Sequence, residues 1–557
     1  MIMRLVNKRL ALFMGLAVVF LLVLFGRAFY VQVIAAPGLQ EQATGQNVRT
    51  VELNARRGTI YDRNGQALAV SQAMATVYAN PYQVDDPEWA AAKLSPALGV
   101  PSAELLQKLT SDSGFRYLAR RIDPAVGGEI EGWELPGITV ISEDERVYPK
   151  GALAPQLLGF VGGDDYLGIA GLELQYDDVL RGEPGEMQVV NDPSSDNRVA
   201  TISSKEAVPG RSITLTIDEQ IQFQTEKVLS EVVAQFKAKK AFAVVLDPND
   251  GEVLAMANTP VFDTNAYASD AVTEADRRNA VVTDQYEPGS TFKMVAAAAA
   301  LEAGLVTPGT VFTLGPEIAV YDRVVHEAHD DVPAVRNLSV TEIIAQSSNV
   351  GAVTLGLKVG KERLADMIGK FNFTTTLGID FPGETAGEMP AAADWSGTTI
   401  ANVPMGQGVA VSPLQLATAY AAIANDGILV QPHLVQGQGR PWSRRVVNAV
   451  VAAQMRQMLT VTVNDGTGSR ARVPGYEVAG KTGTAEKVKE GGGGYDTNRV
   501  VASFVGMVPA GNPRLVILVM VDEPTTQHLG ALVSAPAFAR IAEFALKRLG
   551  IPPSPAQ

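Results

Sequence analysis

Hydrophobic and polar positions divide the chain into stretches of different period. Leu10 to Phe25 is an unbroken apolar run, followed by Gly26, Arg27 and the segment Ala28-Phe29-Tyr30-Val31. A helix from Leu10 to Phe29 would rise ~30 Å, the thickness of a bilayer core. Arg4, Lys8 and Arg9 precede it, and the first acidic residue, Glu41, lies beyond its far end. This asymmetry predicts residues 1–9 as a cytoplasmic tail, residues 10–30 as a single transmembrane anchor and the rest outside the cytoplasm. Arg27 can snorkel to the far interface, a level that also suits Tyr30. A cleaved signal peptide would have an apolar core of only ~7–15 residues and a small-residue cleavage site, and this segment has neither.

Beyond the anchor, residues 31–210 form an irregular region of short strand-like pieces, charged patches and turn signals such as Arg63-Asn64-Gly65 and Asp192-Pro193-Ser194-Ser195. Clearer periods open at residue 211. Ser212 to Ile217 alternates as a strand does, and Asp218 then caps a helical pattern reaching about Lys239. Ala241–Leu246 and Glu252–Met256, joined by Asp247-Pro248-Asn249-Asp250-Gly251, predict a β-hairpin. A largely helical stretch is expected over 290–465, then strands at Tyr476–Thr482, Val500–Val508 and Leu515–Val521, then a helix from about Ala535 to Leu549. Hairpins with helices at both ends and between them give an α+β fold on an antiparallel sheet, over residues 211–550. Residues 551–557 are expected as a flexible tail.

Composition narrows the chemistry. The 557-residue chain has a net charge of −14 and no long basic run, so it lacks the Lys/Arg footprint of a nucleic-acid partner. It contains no cysteine, which excludes disulfides, thiolate metal sites and cysteine nucleophiles.

Three short motifs remain as candidate chemistry. In Pro288-Gly289-Ser290-Thr291-Phe292-Lys293 a turn leads into an Ala-rich helix former, placing Ser290 at a helix N-terminus and Lys293 one turn on along the same face. A buried lysine near another cation loses its proton more easily and can accept one from serine. The spacing alone is weak: at average composition it arises about once in such a chain by chance, and a capping Ser before a surface Lys fits it equally well. Ser347-Ser348-Asn349 interrupts the apolar helical pattern Val340–Leu357, and by itself reads as a kink. Lys481-Thr482-Gly483-Thr484 ends an alternating strand pattern. Gly483 would let a substrate backbone approach, and the flanking Lys481, Thr482 and Thr484 could clamp a carboxylate. Such a tripeptide is expected in only about a tenth of chains of this length. The strength is joint, because the three occur in this order, 57 and 134 residues apart.

Three other patterns are set aside. Ser195-Asp196-Asn197 lies ahead of Ser290 in a turn-rich polar stretch and reads as a surface turn. Gly475 to Thr482 has the spacing of a phosphate-binding loop, but such a loop follows a strand and opens a helix, whereas Pro474 precedes this one and its own residues are strand-like. His326-Glu327-Ala328-His329, beside Asp330 and Asp331, reads as a solvated loop rather than a metal site.

Taken together, the motifs resemble those of the penicillin-recognising acyl-serine transferases, and nearly the whole chain resembles a class B penicillin-binding protein, most closely of the septal division (FtsI-type) branch. Ala55 to Gly65 and Gly168-Ile169-Ala170-Gly171-Leu172-Glu173 look like segments of that family's pedestal. Gly406-Gln407-Gly408 and Val411 to Ala417 fit its catalytic domain. The resemblance implies a central antiparallel sheet with helices on both faces, a helical subdomain and a β-rich pedestal that resembles a dimerisation domain. It implies a peptidoglycan D,D-transpeptidase in which Ser290 is acylated and Lys293 takes its proton. Ser347, Asn349 and Lys481 relay that proton, Thr482, Gly483 and Thr484 bind substrate, and the N–H groups of Ser290 and Thr484 form the oxyanion hole. No cofactor or metal is implied. The implied partners are stem peptides, β-lactams, a polytopic membrane glycan polymerase and other division proteins at the septum of the bacterial inner membrane. A carboxypeptidase, an elongation-branch transpeptidase, an idle scaffold and a β-lactam sensor are the alternatives.

Overall fold

The structure is a computed structural model that describes residues 2–36, 48–163, 166–190, 200–328, 333–437, 439–489, 491 and 493–554. The turn Asp192–Ser195, the Ser195-Asp196-Asn197 pattern, His329 with Asp330 and Asp331, and residues 555–557 lie outside them.

Contacts gather the chain into two units, Met1–Arg56 with Gln72–Glu145 and Gly182–Gly210, and Arg57–Ser71 with Arg146–Arg181 and Arg211–Gln557. Residues 57–71 and 146–181 thus group with the second unit and not with the rest of the expected 31–210 region. The physical reason is an apolar core that Ile60, Leu153 and Leu172 share with Ile213, Val244 and Phe292, together with a buried ionic cluster that joins the two segments to each other. Arg57 Nε donates to Glu173 Oε2 (2.6 Å) and Arg146 Nε to Glu173 Oε1 (2.7 Å), with all three side chains at most 4% exposed.

In the first unit, the N-terminal helix runs Ile2–Phe29 and continues as a π-helix, Tyr30–Ile34, so the basic residues expected as a separate tail are helical too. Among the described residues it is the one helix long and apolar enough to cross a membrane, and its large apolar side chains are exposed. The Arg27 guanidinium lies 5.8 Å from the Tyr30 ring centre, a cation–π contact at the helix end. A separate small core of Val77, Leu94, Leu105, Leu118 and Ile130 holds the Gln72–Glu145 part together.

The second unit is built on a five-stranded antiparallel sheet. Its strands are β1 (Lys240–Leu246), β2 (Val253–Thr259), β3 (Ala479–Val488), β4 (Tyr495–Val508) and β5 (Leu515–Asp522), in the order β2-β1-β5-β4-β3. Alternate residues of β1 and β5 enter different cores. Phe242, Val244, Leu518 and Met520 pack on one side, and Ala243, Val245, Ile517 and Val519 on the other. Both faces are covered, so these strands read as unbroken apolar runs. Helices Glu219–Phe236 and Gly530–Arg548 cover the second face. Helices Lys293–Glu302, Pro413–Ala424 and Ala449–Asn464 lie on the first.

Several boundaries move for tertiary reasons. The Ser212–Ile217 strand shrinks to Ile213–Thr214. The following helix does open on Asp218, whose carboxylate accepts from Gln220 N and Ile221 N, but it stops at Phe236. Lys237 turns into the left-handed region (φ 48°), and Lys239 N donates to Asp522 O of β5. The expected helical stretch 290–465 is interrupted by three small two-stranded sheets. These pair Val311–Leu314 with Arg336–Ser339, Glu317–Val320 with Arg323–His326, and Ile428–Val430 with Ser443–Arg445. The last helix starts at Gly530, ahead of the expected Ala535, because Gly530 docks on β3. Its N–H donates to Thr484 Oγ1 (3.1 Å), and a Cβ there would fall 2.2 Å from Gly483 O.

Candidate active site

The Ser290 turn is held from behind by backbone that tolerates no side chain. Gly289 sits at φ +55° and donates its N–H to Gly406 O, while a Cβ on Gly406 (φ +78°) would lie 2.2 Å from Gly289 O. The Thr291 hydroxyl donates to Pro288 O (2.7 Å), and the buried Tyr420 hydroxyl to Thr291 O (2.8 Å). Gly289–Phe292 is a 3₁₀ turn and the α-helix proper starts at Lys293, so Ser290 precedes the helix by one tight turn. That helix is buried almost throughout, and its alanines, Ala296 to Ala300, let the surrounding helices close on it.

The second motif is a break between two helices, Val340–Ala345 and Asn349–Val359. Ser347 takes φ 61°, a left-handed conformation uncommon for a residue with a Cβ. The Ser348 hydroxyl then caps the second helix, accepting from Gly351 N (2.9 Å). The polar interruption seen in the apolar pattern is therefore a turn, and it faces Lys293. Lys293 Nζ donates to Ser347 O (2.5 Å) and Asn349 Oδ1 (2.7 Å) and lies 3.2 Å from Ser347 Oγ. Asn349 Nδ2 donates to His326 O (3.0 Å), which leaves its oxygen toward the lysine.

The third motif lies near the start of β3. The strand expected to end at Thr482 begins at Ala479 and runs on to Val488, because β4 pairs with it over that length. This continuation also removes the phosphate-binding-loop reading, since Lys481 and Thr482 open no helix. β3 is the edge of the sheet, so its outer backbone is open to an added peptide strand. Gly483 is required for a reason other than the one expected. A Cβ there would point inward, 2.4 Å from Ser503 Oγ and 3.0 Å from Thr291 Cγ2, so glycine lets the strand close on the Ser290 turn. Thr482 Oγ1 is hydrogen-bonded to Thr467 Oγ1 (2.9 Å), and Lys481 Nζ donates to Thr482 O (3.2 Å).

Lys293 and Lys481 are both fully buried. Burial lowers the Lys293 pKa to about 7, with the Glu327 carboxylate opposing the fall. Burial and the neighbouring Lys293 push Lys481 well below the ordinary lysine value. A neutral Lys293 has two N–H donors, matching its two acceptor-only partners, Ser347 O and Asn349 Oδ1, and keeps a lone pair free.

Ser290, Ser347, Asn349, Thr482, Gly483 and Thr484 line one cleft of about 590 Å³, and the two lysines lie buried beside it. The structure thus brings together all eight residues singled out in the sequence. It adds others that sequence reasoning missed. Glu287 carries the segment Gly406–Gly408 by accepting from Gly408 N (2.8 Å) and from the Tyr495 hydroxyl (3.2 Å), and burial raises its pKa. Arg323 Nη2 donates to Gln407 Oε1 (3.1 Å). Glu327, expected in a solvated loop, is only 4% exposed through its side chain and bonds the Ser348-Asn349 turn. Its one sequence signal was an acidic residue shortly before the second motif, which local periodicity cannot distinguish from a surface charge.

Residues 241–543 match the family described as "Penicillin binding protein transpeptidase domain", and residues 52–215 match "Penicillin-binding Protein dimerisation domain". The chain is 36% identical to a probable peptidoglycan D,D-transpeptidase, PbpC, of Pseudomonas aeruginosa, over 98% of this chain and 96% of that one. It is 34% identical to the peptidoglycan D,D-transpeptidase FtsI of Escherichia coli, over 98% and 93%. The crystal structure of penicillin binding protein 3 from Mycobacterium tuberculosis complexed with aztreonam superposes with a TM-score of 0.71 at 32% identity, covering 91% of this chain and 98% of that one.

Proposed function

The chain belongs to the class B penicillin-binding proteins, and on that premise we propose that Ser290 is the acylated nucleophile of a peptidoglycan D,D-transpeptidase that cross-links stem peptides. The observation that carries this reading is the Lys293 amine, buried, with a pKa near neutrality and seated between the Ser290 helix and the Ser347–Asn349 turn.

In this reading Ser290 Oγ attacks the carbonyl carbon between the two terminal D-alanines, and Lys293 Nζ takes the hydroxyl proton. The carbonyl oxygen becomes an oxyanion held by the N–H groups of Ser290 and Thr484, typically the largest electrostatic contribution in acyl transfer. Thr482 and Thr484 hold the terminal carboxylate at the β3 edge, where Gly483 keeps the strand close to the nucleophile. The C–N bond then breaks. The proton reaches the departing D-alanine amine through the Ser347 hydroxyl, with Asn349 and Lys481 alongside, leaving an ester on Ser290. An amine of a second stem attacks that ester and returns the hydrogen to Ser290. β-Lactams enter by the first half of the same sequence and stay as acyl-enzymes.

Product analysis tests the reaction class. Purified protein given a donor stem and an acceptor amine is expected to form the cross-linked product along with free D-alanine. Trimmed stems without any cross-link would mean a carboxypeptidase. We further place the enzyme in the inner membrane through its apolar N-terminal helix, N-terminus inside, beside a polytopic glycan polymerase at the septum. The similarity to FtsI supports this siting. A fluorescent fusion is expected at midcell, and a uniform side-wall signal would favour the elongation branch instead.

A further inference from the structure

Glu327 follows directly on the strand Arg323–His326, in a stretch whose charge invites a surface reading. Its side chain is nevertheless buried, and its carboxylate is committed to three partners at once. Oε1 accepts from Arg336 Nη2 (2.5 Å) and from the Ser348 hydroxyl (2.5 Å), and Oε2 accepts from Asn349 N (2.8 Å). The preceding residue completes the grip, because His326 O accepts from Asn349 Nδ2. Asn349 is thus held at its backbone and at its amide by two consecutive residues of one segment. Its remaining side-chain polar atom, Oδ1, is the one that accepts from Lys293. The clasped turn includes Ser347, whose left-handed backbone needs external support to persist.

We infer that Glu327 is a positioning residue for the acyl-transfer reaction. Seated on Arg336, it locks the Ser347–Asn349 turn so that Ser347 O and Asn349 Oδ1 stay in place around the Lys293 amine. It touches no reacting atom. The inference rests on the reading of Lys293 as the proton acceptor. The same carboxylate acts on Lys293 through space by stabilising its protonated form. Glu327 therefore influences both where the amine sits and when it is free to accept a proton.

The two effects separate in a pH profile. The probe is a fluorescent penicillin, and the readout is the second-order acylation rate of the full chain from pH 5.5 to 9, with a thermal melt of each variant. Glu327→Gln keeps the shape but removes the charge. Its plateau rate is expected to fall about 10–100-fold, in line with the loss of one positioning contact. Its midpoint should move to lower pH, since a nearby negative charge no longer favours the protonated amine. Glu327→Asp keeps the charge and is expected to hold the wild-type midpoint while recovering part of the rate. It also carries the test if the Gln variant does not fold. A merely structural role would lower the melting temperature or the labelled fraction and leave the midpoint unmoved in both variants, which would overturn the inference. Wild-type rate and profile in Glu327→Gln would overturn it as well. Lys293→Ala, run alongside, tells the two failures apart. If it labels at the wild-type rate, the reading of Lys293 falls. If it is inert while Glu327→Gln behaves as wild type, only the positioning role falls.

Discussion

Lys293→Ala is expected to slow acylation by a β-lactam about 10²–10⁴-fold, the range that a positioned acid–base group contributes, while the protein stays folded. The size follows from what the amine does. Without it the proton that Ser290 must lose has no buried amine beside the Ser347–Asn349 turn to go to, and Lys481, whose Nζ donates to Thr482 O, sits under the third motif. The pH dependence carries the sign. Burial lowers the Lys293 pKa to about 7, so the proton-accepting form grows as pH rises through 7, and wild-type acylation should rise over the same interval. The variant should show no such limb. Stability runs the same way. Between pH 7 and an unfolded lysine value of about 10.4, the unfolded chain holds a proton that the folded chain lacks, so this group's contribution improves as pH rises through that window. Folding thus opposes the placement of Lys293 at pH 7, as is common for residues kept for function. Rapid labelling of Lys293→Ala at every pH would remove the lysine from the mechanism.

Glu173→Ala should produce the largest loss of stability, about 3–5 kcal/mol, because it leaves buried charges without their partner. Glu173 is fully buried and joins Arg57 and Arg146, which come from distant parts of the chain. Arg57 also donates to Glu173 O (2.8 Å) and pairs with Asp177 (2.7 Å), and Arg146 donates to Gly58 O (2.8 Å). Removing the carboxylate leaves the buried Arg146 guanidinium without a charged partner and Arg57 with Asp177 alone, so their desolvation is no longer fully offset. Urea unfolding is the check. A midpoint within error of wild type would show that water reaches the cluster and that its charges are not truly buried.

These two residues mark what the sequence made legible. The three motifs of the candidate site could be read because acyl-serine chemistry needs particular residue types at helix and strand positions that leave a local pattern. The Asp218 cap, the β1–β2 hairpin and the apolar β5 run were legible for the same local reason. Glu173 and Arg57 were visible only as parts of recognisable segments. Their pairing spans 116 residues and leaves no periodic trace. Glu327 was misread because charge beside charge in sequence looks like solvent exposure, whereas here a guanidinium and a strained turn surround it. The β3 boundary was missed because pairing with β4, rather than any residue of β3 itself, extends that strand to Val488. Gly483 was singled out for substrate approach, whereas its neighbours Ser503 and Thr291, both elsewhere in the chain, supply the steric reason for a glycine there.

The most direct test of the acyl-serine assignment is to find the modified atom. Full-length protein treated with a penicillin, digested and read by mass spectrometry should carry one added drug mass, on the peptide containing Ser290, and Ser290→Ala should carry none. An adduct on any other residue, or undiminished labelling of Ser290→Ala, would contradict it.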